Sequence, residues 1–155
     1  MTDENLDFNL ENDYTPLPLV PAGKYAGAVT KATFNDEINC LTFTVVLNGN
    51  GGYCSDDETE IDGRSLPLKV WYPKDGDGDE MTKSGLQTKR QWKINNIAKV
   101  AKKLGINLNT MSDMYEGVES GEWIGLEVSA KVSVEPADDF NDEAYNDIKT
   151  LEAAE

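Results

Sequence analysis

Residues 88–105, TKRQWKINNIAKVAKKLG, decide how this chain folds. Ile94, Ile97, Val100, Ala101 and Leu104 recur at spacings of three and four, which lines them along one stripe of a helix. Gly105 then supplies the residue that most readily closes a helix in the left-handed conformation, so a helix is predicted over 88–104. Outward in both directions the period changes to two, the signature of strands with one buried face. Three such stretches precede the helix, at 24–34, 40–47 and 65–72, and two follow it, at 123–135 and 144–151. In the second strand Leu41, Phe43, Val45 and Leu47 share a face, and residues 48–52, NGNGG, provide turn residues that tolerate positive φ. In the third, Leu66, Leu68, Val70 and Tyr72 point inward, leaving Lys69 and Trp71 outward together. In the fourth, Ile124, Leu126, Val128, Ala130, Val132 and Val134 are predicted to face in, and Trp123, Glu127, Ser129, Lys131 and Ser133 out.

Three strands, a helix and two strands is the order of an OB-like fold. That is an all-β class with one helix, a five-stranded barrel whose helix between strands 3 and 4 plugs one end. The predicted core is Phe43, Val45, Leu68, Val70, Leu126, Val128 and Val132. A chain of 155 residues fits one such domain, with an acidic extension over 1–17, the domain over 18–151 and a short acidic tail over 152–155. No apolar run approaches 18 residues, and the acidic start lacks the basic and apolar regions of a signal peptide. The expected location is the cytoplasm of a host cell, with no membrane partner. There Cys40 and Cys54 are expected as reduced thiols, one buried and one in a loop. The chain has no histidine, so histidine-dependent acid–base chemistry is excluded and two cysteines cannot complete a zinc site.

The net charge of −15 argues against nucleic acid, because proteins that neutralise phosphates usually carry a basic patch. The distribution softens that objection: Lys83, Lys89, Arg90, Lys93, Lys99, Lys102 and Lys103 fall in one stretch free of Asp and Glu. Local potential, not net charge, governs what a surface attracts. On a helical wheel Trp92 joins Asn96, Lys99 and Lys103 away from the apolar stripe. Either it stacks on a base beside phosphate contacts, or it sits in the first turn folded back onto the barrel. Trp71, beside Lys69, either faces a ligand or lies under a strap formed by residues 8–21, whose Pro16, Pro18 and Pro21 favour extended chain. Trp123 is expected to pack at the barrel end. The candidate DNA-binding set is Arg64, Lys69, Trp71, Lys89, Arg90, Trp92, Lys93, Lys99 and Lys103.

Two acidic clusters remain. Residues 75–79, DGDGD, begin like a calcium loop, but Glu80 stands where glycine is required and Leu86 where the bidentate Glu belongs. They are expected to be a flexible, solvated connector, and 55–62 the tip of a hairpin. No phosphate-binding glycine loop or nucleophile elbow is present, so no catalytic residue, metal or cofactor is assigned and the chain is not expected to be an enzyme.

Residues 19–25 (LVPAGKY), 63–66 (GRSL), the helix ending Lys103-Leu104-Gly105, 123–125 (WIG) and 145–149 (YNDIK) give the chain, from about 18 to 151, a resemblance to a family of small phage-encoded domains. These are similar to single-stranded-DNA-binding OB-fold proteins. The resemblance implies a non-catalytic protein that binds single-stranded DNA with low sequence specificity in phage replication or recombination. It also implies partners among phage or host replication and recombination proteins, with oligomeric state left open. The acidic connection 136–143 departs from this pattern, since it would repel phosphates at a loop that often borders the ligand. The alternative is an acidic protein-interaction domain, or a DNA-mimic inhibitor of a nucleic-acid-handling protein.

Overall fold

The computed structural model describes residues 9–13, 17–139 and 143–154. A short helix, α1 (Leu10–Asp13), precedes β1 (Gly23–Asn35), the strand that organises the sheet. The N-terminal half of β1 pairs with β4 (Glu127–Glu135), and its C-terminal half pairs with β2 (Cys40–Leu47). Gly27 stands at the changeover. A Cβ there would lie 2.7 Å from the Val46 carbonyl oxygen, so glycine is what lets the two backbones approach. A bulge between Val29 and Lys31 then bends the strand just past the end of its pairing with β4.

With β3 (Ser65–Trp71) and β5 (Tyr145–Ala153) the sheet runs β3-β2-β1-β4-β5, antiparallel throughout. The closed barrel predicted from the element order is not formed. β3 and β5 are the outer strands; they touch, but no ladder joins them among the described residues. Pro67 gives β3 no N–H at its middle, and Lys149 is the extra residue of a bulge in β5, so neither free edge offers a regular hydrogen-bonding row.

The single plugging helix also needs correction. Two helices, α2 (Lys89–Leu104) and α3 (Met111–Ser120), separate β3 from β4. α2 lies along the open side against β5 and β3, while α3 packs on β1. Thr88 caps α2, its Oγ1 accepting from the Gln91 N–H at 3.1 Å, and Gly105 closes it at φ 68°.

Inside the sheet Phe43, Val45, Leu68, Val70, Val128 and Val132 are buried as predicted, with Leu126 half-buried against them. The start of the fourth strand differs: residues 121–125 form a turn, so alternation does not apply there. Ile124 is exposed, and Trp123 is turned inward, 5% exposed, with its ring 5.5 Å from Phe43. Val134, also predicted inward, is exposed near the strand end.

Both cysteines are free and buried; Cys54 lies in the β2–β3 loop as expected but is enclosed there, with the Arg64 guanidinium approaching its Sγ at 3.4 Å. The connector after β3 is not a solvated tether. Asp77 is buried, accepts from the Lys74 N–H at 2.9 Å and pairs with Lys93 at 2.7 Å.

Candidate nucleic-acid interface

The open side of the sheet produces a groove of about 850 Å³, walled by β3, the polar flank of α2 and β5. Alternation in β3 buries Leu66, Leu68 and Val70 and turns Pro67, Lys69 and Trp71 out into the groove. Helical spacing brings Trp92, Asn96, Lys99 and Lys103 to face them. The two tryptophans are partly exposed, Trp71 at 38% and Trp92 at 48%, so each keeps a free aromatic surface. Of the predicted strap, 8 and 14–16 lie outside the described residues, and Trp71 remains partly exposed with the rest in place. The strap's described residues are held elsewhere, Arg64 donating to the Pro18 carbonyl and Asn146 pairing with both backbone groups of Val20 at 2.8 Å.

The lysines divide into two groups. Lys69, Lys99 and Lys103 reach the groove and have no ion-pair partner among the described residues. Lys89 and Lys93 do not line it: Lys89 pairs with Glu80 at 2.6 Å and Lys93 with Asp77. Each carboxyl is held below its ordinary range, chiefly by the hydrogen bond from its lysine. Arg64 is engaged with Pro18 and Cys54, and Arg90 lies on a different groove. Of the nine candidate residues, five (Lys69, Trp71, Trp92, Lys99 and Lys103) converge here.

Two further groove residues escaped the sequence reading. Tyr145 adds an aromatic ring from β5, and Lys149 a cation that pairs with Glu135 at 2.6 Å. Asp147 is the single carboxylate among the described lining residues. Part of the acidic connection, 140–142, lies outside the described residues; its Asp138 accepts from the Tyr145 hydroxyl at 3.5 Å.

Three ammonium groups without an ion-pair partner among the described residues and two partly exposed indoles in one concave surface can bind a polyanion that carries flat rings. No group of three or more His, Cys, Asp or Glu side chains that could hold a metal occurs among the described residues. No family model, curated protein or solved structure matches the chain. No helix among the described residues is long and apolar enough to cross a membrane.

Proposed function

We propose that the chain binds single-stranded DNA in the groove between β3, α2 and β5, with little sequence preference. Bases stack on Trp71 and Trp92, and phosphates are met by Lys69, Lys99 and Lys103. One observation carries this reading: in a chain of charge −15, these cations and aromatic side chains gather in a groove with one carboxylate, Asp147, among its described lining residues. The strand order gives further support, since β3-β2-β1-β4-β5 with the outer strands touching is that of an OB barrel left open at its seam. From Trp92 to Lys103 the helix runs about 16 Å. At about 3.4 Å per stacked nucleotide, that accommodates about five nucleotides, inside the roughly 4–16 typical of one OB fold. Coating strands exposed in replication or recombination is the role such a surface serves.

The test is a salt-titrated binding assay with oligo-dT, read by tryptophan quenching and by anisotropy. Three phosphate contacts predict a slope of log affinity against log salt near −2. Replacing Lys69, Lys99 and Lys103 by Ala should flatten it, and Trp71→Ala or Trp92→Ala should each weaken binding by about 1–3 kcal/mol. No binding at low salt would remove the reading and leave the acidic interaction module, which the net charge favours.

A further inference from the structure

A second groove, of about 680 Å³, runs along the opposite flank of α2, about half a helical turn from the first. Its floor is apolar: Ile94, Ile97, Ala98 and Ala101 line it from the helix, and the chain from Gly105 to Met111 forms the far wall. Arg90 stands toward one end and Lys102 toward the other. No Asp or Glu lines it, in a chain whose acidic residues outnumber its basic ones 29 to 14. Tyr72, which also lines the groove, is 4% exposed, and its buried hydroxyl has no hydrogen-bond partner. Burial pushes that phenol up to about 12, so it stays protonated beneath the groove.

An apolar floor between two cations asks for one kind of occupant, an anion carried on apolar side chains. We infer that this groove docks an acidic peptide of a partner protein, with carboxylates near both ends of a short apolar run. The spacing favours a peptide over a small carboxylic acid. Twelve helical residues separate Arg90 from Lys102, about 18 Å, which an extended peptide covers in about five or six residues. The inference does not depend on DNA binding, because its residues lie on the other flank of the helix.

The experiment titrates the full chain into a labelled peptide with Asp at each end and Leu and Phe between, alongside a control with Lys in place of Asp. Saturable binding of the acidic peptide alone is expected. Ala98→Glu, at an exposed helix position, should weaken it at least tenfold by placing a carboxylate on the floor, and Lys102→Glu should do the same at one end. Failure of the acidic peptide to bind overturns the inference, as does equal binding of the Lys control or indifference to both Ala98→Glu and Lys102→Glu. If oligo-dT displaces the peptide and Ala98→Glu weakens DNA binding instead, the groove belongs to the nucleic-acid surface and the inference also falls.

Discussion

Gly117→Ala tests the part of the fold that was least expected, the seat of α3 on the core. In the interior of an exposed helix this change should stabilise by about 1 kcal/mol, because glycine is the poorer helix former. Here the new methyl would overlap Cζ2 and Cη2 of Trp123 and stand 2.7 Å from its Cε2. The indole is held against Phe43 and is nearly fully buried, so it has no free space to move into. Overpacking of a core costs about 1–3 kcal/mol when neighbours can shift. Expelling the ring forfeits up to about 4–6 kcal/mol, from roughly 150–250 Å² at about 25 cal/mol per Å². Subtracting the helix gain from the upper end of each range leaves a net loss of about 2–5 kcal/mol, a large share of a typical 5–15 kcal/mol stability. Urea melts followed by circular dichroism should give the loss, and a red shift of the buried tryptophan emission should accompany it. In a Trp123→Leu background the same Gly117→Ala change should become neutral or favourable. A wild-type or raised stability for Gly117→Ala alone would mean that Trp123 does not lie on α3.

Tyr72→Phe should raise stability by about 1 kcal/mol, since it removes a buried hydroxyl left without a partner; thermal melts should show a rise of a few degrees, and a fall would mean that the hydroxyl is satisfied. Asp77 gives a pH prediction. Its folded pKa lies below the ordinary 3.8, held down first by the hydrogen bond from Lys93 and then by the Lys74 N–H, so its contribution is complete above 3.8 and is lost as pH falls through the lowered folded value. Asp77→Asn should therefore destabilise the protein at neutral pH and shallow its acid-induced loss of stability below 3.8. An unchanged pH profile would place the acid sensitivity on the other lowered carboxyls, Asp56, Asp62, Glu80 and Glu135.

The strands and α2 were legible because each repeats an apolar residue at its own period. Cys40–Leu47 shows as an alternating row, and the 94–104 stripe as a helical one. α3 was legible too, from Met111, Met114, Tyr115 and Val118 at helical spacing between Thr110 and Gly121, but its row is short and the sequence reading passed over it. Its fully buried positions are Met114 and Gly117, and Gly117 serves by being small enough to seat Trp123, a residue outside the helix. Of the groove, Lys69 and Trp71 follow from alternation, and Trp92, Lys99 and Lys103 from the helical wheel, since local geometry alone fixes which way they point. The removal of Lys93 was not legible. It depends on Asp77, sixteen positions away, folding back beneath the helix. Tyr145 and Lys149 were missed for a similar reason, because β5 enters the groove only where it meets β3.

These tertiary pairings also bear on how an acidic chain can offer a cationic surface. Glu80 and Asp77 are spent on Lys89 and Lys93, which flank the start of α2 and do not reach the groove, and Glu135 is spent on Lys149. Asp62 is turned onto the backbone of the β2–β3 loop, accepting from the Asn50 and Gly51 N–H groups at 2.9 Å. Asp77 and Glu80 are thus matched by cations outside the groove and Glu135 by a lysine within it, while Lys69, Lys99 and Lys103 have no ion-pair partner among the described residues. Exposed charges farther off act through a screening length of about 8 Å at physiological salt. The net −15 therefore sets the long-range field, and the groove sets the contact energy. An acidic sequence and a phosphate-binding groove are compatible on these terms, provided that the acids near the groove already have partners.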